Sequence, residues 1–205
     1  MHLLRRPFQI IRADLRAYLL VNLFVYGMLV LGLVLGLLFP DLHAARAGSF
    51  AGGSGGSLVN SVVGNGWLFA TVIFLVNVFP TALLLITLPS LAIPFAGLAV
   101  FAVKTVDLGV TLAPVDATSR LTLIPHSLTL LIEFQAYALV MFGAYLLGRS
   151  WLRPATAGAP TRRQGYVRGL SRLGWLWIPA LVLFVIGAAY EALEIYFLVP
   201  LVLGG

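Results

Sequence analysis

The 205-residue sequence contains no cysteine, which excludes disulfides and thiolate metal sites and leaves any metal to histidine and carboxylate ligands. Charge is scarce as well: 10% of the residues are Asp, Glu, Lys or Arg, and Lys104 is the single lysine. Set beside 60% hydrophobic residues and a mean hydropathy of +1.02, this excludes a soluble globular domain and points to an integral membrane protein. No HExxH pattern occurs, and no Gly-Lys-Ser/Thr follows the glycine-rich stretch at 47–57, so neither a zinc-hydrolase motif nor a phosphate loop is present. The expectation is a non-enzymatic chain with no catalytic residue, no cofactor and no metal. The net charge of +6 comes from arginines that flank apolar runs. That distribution suits lipid headgroups and not nucleic acid.

What the sequence has in abundance is apolar length. Runs at about 17–39, 67–88, 91–110, 124–147 and 175–199 are each long enough, at about 1.5 Å per residue, to cross roughly 30 Å of hydrocarbon. They predict an all-α polytopic transmembrane bundle of about five spans, residues 1–205 forming one membrane domain. Residues 3–16 alternate Arg5, Arg6, Arg12 and Arg16 with apolar positions. This predicts a short interfacial helix whose guanidinium groups reach lipid headgroups, a cleavable signal peptide being the competing reading. Gly32 and Gly36 predict a close helix contact, either within the bundle or in a dimer. Pro40 ends the first run, and residues 41–66 read as a flexible external loop whose part from Leu58 onward touches the interface. Asn77 and Pro80 interrupt the second run. Pro89, Ser90 and Pro94 mark a tight turn, and residues 111–122 read as a short polar loop.

The fourth run is the one around which the chain is organised, because it carries Pro125, His126 and Glu133. Ionisable groups inside a membrane span normally face protein or a water-filled cavity, so they are functional candidates by default. Seven residues separate His126 from Glu133, close to two turns, which sets both on nearly one helix face with Glu133 about 10 Å deeper. Pro125 is expected in the first helical turn. Lys104 and Asp107, and likewise Glu191 and Glu194, share faces at a spacing of three; Lys104 can pair with Asp107 or snorkel to water. Four arginines precede the first run and six crowd the connection from 149 to 174, whereas Arg46 and Arg120 stand alone in theirs. The positive-inside rule then predicts a cytoplasmic amino terminus and an extracytoplasmic carboxy terminus in a bacterial inner membrane. It also gathers Asn77, Lys104, Asp107, His126, Glu133, Glu191 and Glu194 into a candidate polar cluster, in the outer half of the bilayer. A structural or partner-docking network, an ion or proton path, a lipid or peptide groove, and a histidine–carboxylate metal site are the open readings.

At Pro125-His126 and Glu133 to Ala136 the chain resembles the stage II sporulation protein M family of multi-span membrane proteins. The likeness extends to the spaced glycines of 24–36, the asparagine-bearing second run, the small residues Gly143, Ala144 and Gly148, and the glutamate-to-proline ending at 191–200. It departs at Ser127, where the family usually has glycine, and in the seven-residue step to the glutamate, usually four. The resemblance implies a membrane-embedded scaffold or assembly subunit, with membrane lipids and other subunits as partners, an ATPase or a cell-wall-associated protein among them. A permease-like subunit handling a lipid, ion or small substrate through the cluster is the alternative.

Overall fold

A computed structural model of the chain describes residues 2–53, 57–58 and 61–204. It is an all-helical bundle with no strand among the described residues. In order come α1 (His2–Ala13), α2 (Leu15–Leu38), α3 (Pro40–Gly52), α4 (Gly66–Ala92), α5 (Ala96–Thr111), α6 (Ala117–Leu152) and α7 (Arg162–Leu203). Four of these, α2, α4, α6 and α7, are long and apolar enough to cross a membrane, as in a multi-pass membrane protein. With 16 residues, α5 measures about 24 Å, less than a hydrocarbon core of roughly 30 Å. It is shorter than the predicted run because α4 continues through Pro89 and Ser90 to Ala92 and the turn falls at 93–95. There Phe95 takes a left-handed conformation, φ 66°, held by ring packing on Tyr145.

The helix marked by its ionisable residues is the central one. In α6, 72% of the apolar stretch is buried by protein, against 28% in α2 and 33% in α7, so its neighbours shield it from lipid. Those neighbours turn Leu19, Leu20, Leu23, Val182, Val185 and Ile186 outward. Lipid tails are as apolar as leucine, so association depends on close packing, and small residues permit it. Gly32 meets Gly109 of α5: a Cβ on Gly109 would lie 2.8 Å from the Gly32 Cα. Gly36 faces Val110 and Ala113, so the expected glycine contact lies inside the chain. The long α6–α7 hairpin uses the same device. Gly165 fits against the Ser150 carbonyl and Pro154, and a Cβ on Gly169 would lie 2.8 Å from the Leu147 Cα.

Several expectations are corrected. The region after Pro40 is helical to Gly52, because Pro40 at the first helical position, Asp41 in the first turn and the alanines that follow favour a helix. The ion pair Arg46 to Asp107, 3.2 Å, and the contact of His43 Nδ1 with the Val110 carbonyl, 2.9 Å, hold α3 to α5. The flexible-loop expectation at Ser54, Gly55 and Gly56, and the interface expectation at Val59 and Asn60, fall outside the described residues. Helix α6 starts at Ala117 and not near Ile124, since Asp116 and Ser119 form a reciprocal cap: the Ser119 N–H donates to the Asp116 carboxylate at 2.8 Å, and the Asp116 N–H to the Ser119 hydroxyl at 3.0 Å. That backbone donor holds the Asp116 carboxyl below its ordinary range. Pro125 therefore lies inside α6 and not in its first turn. The arginine-rich connection is mostly helix, with one 3-10 turn at Pro154–Ala157. Gly158 follows at φ 65°, and Arg168 Nη1 donates to the Ala157 and Gly158 carbonyls at 2.8 and 2.5 Å.

Replacing Gly109 with valine drives methyl groups into the Gly32 backbone. The expected loss is about 2 kcal/mol, read as a lowered unfolding midpoint in detergent, whereas Gly48→Ala, at a position with open space, leaves the midpoint unchanged.

Candidate functional site

The site begins with two irregular stretches of helix. Within α4, residues Asn77–Thr87 are wound as a π-helix containing Pro80. Proline lacks an N–H and its ring crowds the carbonyl four residues earlier, here Val76. The Thr81 hydroxyl donates to that carbonyl at 3.1 Å, and Asn77 begins the widened stretch. In α7 the π segment Glu194–Leu198 precedes Pro200, and Glu194 begins it. Single π turns in otherwise regular helices are frequent at functional positions. In both helices the first residue of the π segment is the polar one that enters the bundle.

Each then meets α6. The Asn77 side-chain N–H donates to Glu133 Oε1, while the Tyr137 hydroxyl donates to Asn77 Oδ1 at 2.7 Å. Glu133 is admitted because Gly187 faces it on α7: a Cβ there would lie 2.9 Å from the Glu133 Cγ. Two turns earlier on α6, His126 Nδ1 lies 3.0 Å from Glu194 Oε1, and the Thr129 hydroxyl donates to Glu194 Oε2. Both oxygens of Glu194 are thus engaged by α6, and the residue is 1% exposed. Glu191 lies between the two groups, within electrostatic reach of His126 and Glu133. The Tyr190 hydroxyl donates to the Pro125 carbonyl at 3.3 Å. His126 and Glu191 are half-buried, so the network has one accessible end.

Of the seven cluster residues expected, the structure joins five: Asn77, His126, Glu133, Glu191 and Glu194. Lys104 is exposed, and Asp107 takes Arg46 in place of Lys104, so these two form part of the α3–α5 face. Arg5, Arg12 and Arg16 are exposed along α1 and its junction with α2. Arg6 is exposed as well and also stacks on Trp175, 5.1 Å from the ring centroid. Sequence reasoning missed Thr129 and Tyr137, although residues 126, 129, 133 and 137 follow one helix face at spacings of three and four. It also missed Gln135, which donates to the Tyr18 hydroxyl, and the ion pair Arg149 to Asp14, 2.7 Å. Among the described residues no three His, Asp or Glu side chains are grouped to hold a metal ion.

No family model, curated protein or solved structure matches the chain. Chemically, the geometry of the network joins three helices through carboxylates that receive their hydrogen bonds from other helices.

Asn77→Ala leaves Glu133 without its donor and Tyr137 without its acceptor. We expect a loss of about 1 to 2 kcal/mol in denaturant unfolding. Glu133→Gln keeps a carbonyl acceptor for Asn77 and is expected to cost less than half as much. Equal losses would show that the bond contributes nothing beyond packing.

Proposed function

We propose that this chain is a non-enzymatic scaffold or assembly subunit of a larger membrane complex, docking a partner at the accessible end of the polar network. The observation that carries this reading is the pairing itself. Glu194 and Glu133 are buried and receive their hydrogen bonds from side chains of neighbouring helices, which fixes the arrangement of α4, α6 and α7. His126, with 21% of its side chain exposed, and Glu191, half-buried, stand at the edge of that fixed arrangement. A rigid apolar body with a small polar recognition edge suits a partner helix or a segment of another subunit that offers complementary donors.

The positive-inside distribution supports a bacterial cytoplasmic membrane with the amino terminus inside and the network toward the outer face. Membership of the stage II sporulation protein M family belongs to the same proposal; it rests on Pro125-His126, on Glu133 to Ala136 and on the glycines that the fold uses for packing. A second reading has its own observation. The carboxylates of Glu194, Glu191 and Glu133 follow one another along the α6–α7 seam, as a proton or ion path in a permease-like subunit requires.

Extraction of the tagged chain from its native membrane in mild detergent, followed by mass spectrometry, tests both. The scaffold reading expects a partner in fixed ratio that is lost from His126→Ala and retained by Lys104→Gln, with both variants still monodisperse. Recovery unaffected by His126→Ala overturns docking at this edge. Proton leak in proteoliposomes that Glu191→Gln abolishes would place the weight on the permease-like reading.

A further inference from the structure

A second site lies at the opposite end of α7, on the order of 25 Å along the helix from Glu191. Amphipathic α1 packs there against the first turns of α7, bordering an open groove of about 370 Å³ lined by Arg6, Gln9, Asp14, Arg168, Arg172 and Trp175 among others, with Arg6 and Arg168 exposed and Arg172 half-buried. That volume is within the roughly 300–1,000 Å³ typical of small-ligand sites. Three of these side chains are guanidinium groups, and the one carboxylate, Asp14, is already held by Arg149 at 2.7 Å. Arg168 is fixed by the carbonyls of Ala157 and Gly158, and Arg6 by the Trp175 ring. Two of the three cationic groups are therefore positioned before any ligand arrives. Arg172 Nη1 is buried and has no hydrogen-bond partner among the described residues.

Three guanidinium groups converge on a groove whose one carboxylate is already paired, which makes it complementary to an anion. We propose that this groove binds a phosphate-class anion, the phosphodiester of an anionic lipid headgroup or free phosphate, between the guanidinium groups of Arg6, Arg168 and Arg172. Planar guanidinium forks match phosphate oxygens bidentately. This site is independent of the polar network and of the function proposed for it.

Native mass spectrometry of the full chain in mixed micelles holding phosphatidylglycerol and a tenfold excess of phosphatidylcholine gives the test. One retained phosphatidylglycerol is expected, with occupancy falling about fivefold in Arg172→Gln and again in Arg6→Gln. The double variant Arg162→Gln/Arg163→Gln removes two charges from the same end of α7 outside the groove and is expected to keep the lipid. A parallel arm titrates inorganic phosphate in phosphatidylcholine alone, reading the thermal midpoint. A rise lost in Arg172→Gln assigns the site to free phosphate, and retention of phosphatidylglycerol without that rise assigns it to the lipid. Equal loss in the Arg162/Arg163 control, or binding of neither ligand, overturns the proposal.

Discussion

Everything else in this bundle depends on the hydrogen bonds that α6 exchanges across its two polar seams. A carboxylate placed among helices that are themselves surrounded by hydrocarbon is tolerated only when donors reach it. Asn77 from α4 reaches Glu133, and Thr129 and His126 from α6 reach Glu194 on α7. These bonds fix rotation and register, which apolar contacts alone leave loosely defined, since one leucine slides past another at small cost. The glycine contacts complete the arrangement by setting distance. Gly187 makes space for the Glu133 side chain, and the Gly32–Gly109 crossing brings α2 and α5 together.

Proline contributes in a way that depends on its neighbours. Pro80 and Pro200 each remove a backbone donor, and each lies in or just beyond a π segment that opens with a buried polar residue. Widening the helix displaces the side chains along it, so the same residues in a regular α-helix would point elsewhere. The Thr81 hydroxyl donates to the Val76 carbonyl at 3.1 Å, and Thr87 donates to the Ala82 carbonyl at 2.8 Å within the same stretch. The distortion is consequently held by local hydrogen bonds as well as by packing.

The class of the fold was legible because apolar length is a coarse signal that survives any local detail. The importance of the fourth run was legible because His126 and Glu133 are out of place in it. What escaped notice has physical reasons. Helix α3 carries its own local start in Pro40 and Asp41, but the glycines and serines that follow mask it, and what holds it is the tertiary docking of His43 and Arg46 on α5. The start of α6 depends on a cap made with Ser119, weaker as a pattern than the usual glutamate. Lys104 and Asp107 share a face, but topology brings Arg46 closer to the carboxylate. Thr129 and Tyr137 are ordinary residues by type, distinguished only by lying on the stripe of His126 and Glu133. The buried donor of Arg172 has no counterpart in sequence at all, since it follows from where α1 folds back.

The direction of each carboxylate bond also bears on how the protein is made. A chain emerging from the ribosome enters the membrane from its amino-terminal end, and Glu133 and Glu194 both follow their donors in the sequence. Asn77 is in place before Glu133 arrives, and His126 and Thr129 are in place before Glu194. Neither of these two carboxylates therefore has to wait in hydrocarbon for a partner still unsynthesised, so the order of the residues along the chain doubles as an order of assembly for the polar network.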